Sequence, residues 1–95
     1  MEPTPHGIPD GPWQVYIVEC RDGSLYTGIT NDLPRRCEQH NEGTASRYTR
    51  ARRPVILRYA ESQPSRSSAL IRECAVKLLT RKEKEELIHK TEINH

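Results

Sequence analysis

Apolar and polar residues alternate along three short stretches of the chain and recur at helical spacing in the segments between and after them. From Gln14 to Glu19, Val15 and Ile17, with Trp13 before them, fall on one side of an extended chain, and Tyr16 and Val18 on the other, because successive strand side chains point to opposite faces. Arg21-Asp22-Gly23-Ser24 closes this strand. Glycine tolerates the positive φ that a tight hairpin connection requires, so Leu25 to Ile29 is predicted to return as the second strand. Val55 to Ala60 reads as the third, with Val55, Leu57 and Tyr59 alternating with Ile56 and Arg58.

Asn31 or Asp32 can cap a helix by accepting its free backbone N–H groups, and Pro34 falls in the first turn, where a missing N–H does no harm. That helix is predicted to run to about His40, with Gly43 near its end. Thr44 to Pro54 is polar and basic without a clean period and reads as a loop. A second helix is expected from about Ser65 to Leu79, on the recurrence of Leu70, Ile71, Cys74, Ala75, Leu78 and Leu79. Thr80-Arg81-Lys82-Glu83 has the form of a capping box, in which Thr80 and Glu83 each satisfy a backbone donor of the other, and it starts a third helix from Arg81 to about Lys90. The order β-β-α-β-α-α gives an α/β domain of the α+β kind, one sheet whose apolar face is covered by helices. Residues 1–12, rich in Pro and Gly, read as a flexible leader, 13–90 as the domain and 91–95 as a tail.

At 95 residues the chain has room for one domain, and 34% apolar residues, with four Tyr, one Trp and no Phe, supply a modest core. No apolar run approaches the roughly 18–20 residues of a membrane helix, and Met1 to His6 lacks the basic and apolar regions of a secretory signal. Cys20, Cys37 and Cys74 are odd in number and lack C-x-x-C spacing, which indicates neither a disulfide framework nor a cysteine-rich zinc site and fits a reducing, cytoplasmic setting. They read as small hydrophobes or bystanders. The net charge of +2 hides an uneven distribution: between Arg21 and Arg58 eight Arg and no Lys stand against Asp22, Asp32, Glu38 and Glu42, whereas Glu83 to Glu92 carries four Glu against Lys84 and Lys90. Guanidinium groups make planar, bidentate contacts with phosphate, so the arginine cluster suggests a nucleic-acid footprint, with a solubilising surface as the plain alternative.

Gln14-Val15-Tyr16 is followed by Tyr26-Thr27-Gly28, whose Tyr lies ten residues after Tyr16, and then by Asn31-Asp32-Leu33-Pro34-Arg35-Arg36 and His40. Ala45-Ser46-Arg47-Tyr48-Thr49, then Arg72-Glu73 and Lys77, continue the pattern. From Trp13 to about Ile88 the chain resembles the GIY-YIG endonuclease family, in particular its small stand-alone bacterial members, the two triplets standing for Gly-Ile-Tyr and Tyr-Ile-Gly. The resemblance implies a three-stranded antiparallel sheet flanked by helices and a metal-dependent endonuclease or nickase that hydrolyses DNA phosphodiester bonds, with a place in repair or recombination. It puts Tyr16, Tyr26, Arg36, His40 and Glu73 at the active-site positions, with Glu73 the ligand of one Mg²⁺ or Mn²⁺ ion, weakly bound without substrate. Arg36 is then expected to stabilise charge on the phosphorane-like transition state, and His40, four residues on, shares its helix face. Tyr16 is implied as general base, with Tyr26 and His40 orienting or activating it. A tyrosine of ordinary pKa about 10 needs a depressed pKa for that role, whereas histidine titrates near neutrality.

Each assignment has a plain reading beside it. Tyr16 and Tyr26 are also ordinary cross-strand core partners, Arg36 and His40 solvent-facing helix residues, and Glu73 half of an i,i+4 ion pair with Lys77. Gly28 marks a bulge or a close backbone approach. Arg35, Arg47, Tyr48, Arg50, Arg52 and Arg53 are expected to bind substrate, chiefly through phosphate contacts that give affinity and salt dependence but little sequence preference. Tyr48 either stacks on an exposed base or packs on the helix. Two positions depart from the family pattern: Gln14 replaces its first Gly, and Ile29 stands where some members carry a Lys. The rival functions are a DNA-binding remnant without catalysis and a protein-interaction module using the helix from Arg81 to Ile93, whose Leu87, Ile88 and Ile93 equally suit a core. Retention of all five active-site side chains favours the enzyme, because phosphate binding alone does not require a metal carboxylate.

Overall fold

In the computed structural model, which describes residues 12–93, the chain runs β1 (Trp13–Cys20), β2 (Leu25–Thr30), α1 (Leu33–Glu42), α2 (Arg47–Arg50), β3 (Val55–Gln63), α3 (Arg66–Lys77) and α4 (Arg81–Ile93). The expected leader lies outside the described residues except for its last position, Pro12. The sheet order is β2-β1-β3 and both pairings are antiparallel. The predicted α+β architecture is therefore present, with α2 as an added element.

β1 is central and apolar on both sides, and so both faces of the sheet are covered rather than one. Val15 and Ile17 pack against Ala69 and Val76 of α3 and Ile88 of α4. Tyr16, Val18 and Cys20 pack on the other face with Leu33 of α1 and Val55, and Cys37 lies against that cluster. In β3 the strict alternation read from the sequence fails. Ile17 pairs with Tyr59 and Val18 with Leu57, which leaves Arg58 as the extra residue of a β-bulge. The bulge sends Val55 to the α1 side and Tyr59 to the α3 side, so two residues expected on one face belong to opposite cores.

The helix caps follow the sequence closely. Asp32 Oδ1 accepts from the Arg35 backbone N–H at 3.3 Å, and α1 closes at Gly43 in the left-handed conformation, φ +87°. Thr80 and Glu83 form the expected capping box, and α4 continues past Lys90 to Ile93, with Leu87 and Ile88 in the core. The segment read as a loop contains one helical turn, α2, because the Ser46 hydroxyl accepts from the Thr49 backbone N–H at 3.2 Å. A single turn shows no apolar period, so hydrophobic spacing had no means of finding it.

α3 lies turned away from the orientation its apolar spacing suggests. Ala69 and Val76 are its buried residues, whereas Ile71 and Leu78 are 74% and 85% exposed and Cys74 and Ala75 also face solvent. The turn brings Arg72 and Glu73 towards the sheet. Arg72 Nε sits 3.0 Å from both carboxylate oxygens of Glu61 on β3, and Glu61 also accepts from the Tyr59 hydroxyl at 2.6 Å. All three cysteines are free thiols: Cys20 buried, Cys37 half-buried and Cys74 exposed. Among the described residues no helix is long and apolar enough to cross a membrane.

One side chain fixes α1 to the sheet. Asn41 Oδ1 accepts from the Val55 backbone N–H at 2.7 Å and its Nδ2 donates to the Val55 carbonyl at 3.1 Å. Asn41→Ala should therefore lower the urea midpoint by an amount worth about 1–2 kcal/mol, while Glu42→Ala on the exposed side of α1 should stay within about 0.5 kcal/mol. Equal midpoints for the two variants would show that this junction does not hold the helix.

Candidate active site

Tyr16 on β1 stands directly opposite Gly28 on β2. Its ring lies across that glycine: a Cβ there would come within 2.5 Å of the phenol oxygen and 2.7 Å of Cζ. Gly28 is thus required for close approach, at an ordinary strand position. The ring lies flat enough for its hydroxyl to meet His40 Nε2 at 2.8 Å, in the last turn of α1. His40 is 1% exposed, and its Nδ1 is 2.8 Å from Thr49 Oγ1 in α2, itself fully buried. The Thr49 hydroxyl donates onward to the Ser46 carbonyl at 3.4 Å. The Tyr26 ring meets His40 edge-on, with centroids 5.4 Å apart.

Protonation follows from burial. Burial pushes the Tyr16 phenol far above its ordinary pKa, Tyr26 adds to the rise, Arg36 opposes it, and Cys37 and Glu73 add smaller contributions. Burial pulls the His40 imidazole below its ordinary value, and Arg36 adds to that shift. Near neutral pH both groups are therefore neutral. We assign Nε2 as acceptor of the Tyr16 proton and Nδ1–H as donor to Thr49, since a neutral buried phenol needs an acceptor and Thr49 spends its own proton on Ser46. The depressed tyrosine pKa expected for a free-standing base is not met in the protein alone; the histidine is the group placed to take the proton.

Arg36 lies one turn before His40, and Glu73 comes from α3; the charges of both reach the Tyr16 hydroxyl. The geometry thus brings Tyr16, Tyr26 and His40 into contact, and the charges of Arg36 and Glu73 act on the same buried phenol. A sequence model of the GIY-YIG catalytic domain matches residues 12–86. The chain belongs to the GIY-YIG family. It is similar to UPF0213 proteins, with 51% identity over 73 residues to one from Halobacterium salinarum, covering 77% of this chain and 95% of that protein. A UPF0213 protein of Staphylococcus aureus is 51% identical over 74 residues, covering 78% and 90%. The fold is similar to the solution NMR structures of a UPF0213 protein from Bacillus halodurans (44% identity, TM-score 0.53, covering 81% of this chain and 82% of that one) and of a protein from E. faecalis (40%, 0.58, 86% and 88%).

In this GIY-YIG chain the expected substrate-binding residues do not act as one group. Tyr48 stacks on Tyr26, centroids 6.0 Å apart, and the Arg52 guanidinium carbon sits 3.9 Å from the Tyr48 ring centre. Arg52 also pairs with Asp22 at 3.1 Å and donates to the Tyr48 carbonyl at 2.9 Å. Tyr48 and Arg52 therefore cover the Tyr26 ring and anchor α2. Arg35 shares a hollow with Asp32, Glu38 and Glu42, which no other arginine lines. Arg47, Arg50 and Arg53 line open clefts beside α2. Sequence reasoning missed Thr49 and Ser46 as supports of His40; the S-x-x-T spacing is a helix-start signal that the surrounding basic residues hid.

Glu73 supplies one carboxylate, 15% exposed and 3.5 Å from Lys77. Among the described residues no group of three or more His, Cys, Asp or Glu is arranged to hold a metal ion. A lone hard oxygen donor suits a divalent ion that keeps its water and takes phosphate oxygens from a substrate; the donor chemistry fits the metal implied by the family.

Two outcomes follow from this geometry. Gly28→Ala must displace a pinned, buried ring, and a loss of about 1–3 kcal/mol is expected, read from thermal or urea unfolding; unchanged stability would mean that the ring does not lie across Gly28. Because the folded pKa of His40 lies below the unfolded one, acid binds the unfolded chain first. Its contribution is complete above about pH 6.5 and is lost as the pH falls towards the folded value. Urea midpoints should therefore begin to drop near about pH 6.5, and the drop should be smaller in His40→Gln; identical pH dependence in both proteins would contradict a neutral, buried imidazole.

Proposed function

We propose that this protein is a divalent-metal-dependent endonuclease or nickase that hydrolyses DNA phosphodiester bonds. The observation carrying the reading is the buried Tyr16–His40 hydrogen bond, 2.8 Å long, with Arg36 and Glu73 close enough to bias the phenol. A structural tyrosine pair requires neither the imidazole relay nor a cation and a carboxylate beside it.

Water attacking phosphorus must lose a proton. Tyr16 accepts it as its own proton passes to His40 Nε2, so no free tyrosinate has to exist beforehand. Thr49 and Ser46 hold the imidazole in the tautomer that can receive it. Arg36 presents fixed donors to the oxygens that gain charge in the transition state. Glu73 would hold one Mg²⁺ or Mn²⁺ ion, whose chemistry when bound is polarisation of a phosphate oxygen and stabilisation of the leaving 3′ oxygen. Selectivity for DNA structure, a place in repair or recombination and a cytoplasmic setting belong to the same reading.

The test is cleavage of end-labelled linear, nicked, branched and flapped DNA with Mg²⁺ or Mn²⁺ and with EDTA. EDTA should abolish cutting, and Glu73→Gln and Arg36→Ala should each reduce it by about two to three orders of magnitude while remaining folded. Undiminished cutting by either variant would remove that residue from the site. Salt-sensitive binding without cleavage of any of these DNAs would instead establish a DNA-binding module that has kept the nuclease fold.

A further inference from the structure

We infer that the protein grips DNA backbone phosphates in a second cleft, built by Arg21, Arg50 and Arg53, outside the catalytic pocket. The inference rests on DNA being the substrate, as proposed above. It adds a site of binding that the catalytic residues do not account for.

The cleft has a volume of about 470 Å³ and is lined by Arg21, Asn41, Arg50, Ala51, Arg53 and Pro54. It shares no residue with the set Tyr16, Tyr26, Arg36, His40 and Glu73. Three separate segments bring the arginines together. Arg21 comes from the β1–β2 turn, whose backbone N–H donates to the Arg52 carbonyl at 3.0 Å and whose Asp22 pairs with Arg52. Arg50 is the last residue of α2. Arg53 donates through Nε to the Arg50 carbonyl at 2.9 Å, so its remaining guanidinium donors stay available. Asn41 forms the wall on the α1 side while its amide is held by Val55.

The absence of acids distinguishes this cleft from the hollow around Arg35, which Asp32, Glu38 and Glu42 line. Arg52, Arg58, Arg72 and Arg81 each have a carboxylate partner. Among the described residues Arg21, Arg50 and Arg53 have none, and no acid lines their cleft. Three uncompensated guanidinium groups around one hollow repel one another, and the natural relief is an anion with several acceptor oxygens. Arg50 also lines the neighbouring hollow with Arg47, which extends the basic surface along α2. α2 places Thr49 against His40 and Arg50 in the cleft. A strand with its scissile phosphate at Tyr16 would therefore meet the cleft with phosphates on the flank of the cut.

The experiment measures binding of a short fluorescent DNA duplex in EDTA, over about 50 to 200 mM salt, for the wild type, Arg21→Gln, Arg50→Gln, the double variant and the surface control Lys82→Gln. Each cleft variant should make the plot of log affinity against log salt shallower by about 1, the double variant by about 2, and Lys82→Gln should leave the slope as it is. Slopes unchanged in both single variants and in the double variant would overturn the cleft, even if the wild-type protein cuts DNA efficiently. Binding with the expected slope changes but with no cutting in Mg²⁺ or Mn²⁺ would uphold the cleft and remove the nuclease reading. Absence of salt-sensitive binding by the wild type would overturn the cleft outright.

Discussion

A phenol and an imidazole that are both buried must satisfy each other or lose the hydrogen bonds they made to water. Tyr16 and His40 do so at 2.8 Å, and much of the local architecture is a consequence of that contact. β2 must carry no side chain where the phenol crosses it, which fixes Gly28. α1 must bring a histidine over the sheet in its last turn, which it does because Asp32 starts it and Asn41 ties its end to β3. α2 must supply a hydroxyl to the far side of the imidazole, and Thr49 fills that position. The same burial that makes the bond stable keeps both groups neutral, and a neutral pair with a defined proton direction is what a proton relay needs.

Apart from the Ser46 cap of α2, the helix caps and turns were legible in the sequence because they are local. Asp32, Gly43, Thr80 and Glu83 act on backbone groups within a few residues, and their chemistry does not depend on the rest of the fold. The five candidate residues were legible only through their combined resemblance to a family, since periodicity alone makes Tyr16 a core residue and His40 one helix position among others. What the sequence hid is non-local. The bulge at Arg58, which separates Val55 from Tyr59, arises from pairing with β1. The turn of α3, which packs Ala69 and Val76 in the core, leaves Ile71 and Leu78 exposed and lets Arg72 meet Glu61, depends on contacts with other elements.

That turn of α3 links structure to chemistry. Glu73 follows Arg72, so the pair that fixes α3 against β3 also decides where the next side chain lies. Had the stripe of Ile71, Cys74, Ala75 and Leu78 faced the sheet, Glu73 would have moved round the helix, because residues two apart on a helix do not share a face. With α3 turned this way Ile71 and Leu78 stay exposed, Ala69 and Val76 supply its buried apolar surface, and the Glu73 carboxylate is 15% exposed beside Lys77.

The same reasoning explains how a basic segment without hydrophobic period holds a fixed shape. A four-residue helix cannot sustain itself, since nucleation fixes several backbone angles for one hydrogen bond. α2 is held from outside: Ser46 caps it, Thr49 is bonded to His40, Tyr48 lies against Tyr26 and under Arg52, and Arg52 is anchored to Asp22. One arginine is thereby committed to structure so that Arg47, Arg50 and Arg53 are displayed at defined places around it. A surface fixed in advance loses less conformational entropy when a charged polymer docks on it than a mobile loop with the same residues would. The supports of the His40 imidazole and the supports of the basic surface are therefore the same few side chains, and a change in α2 that loosens one will loosen the other.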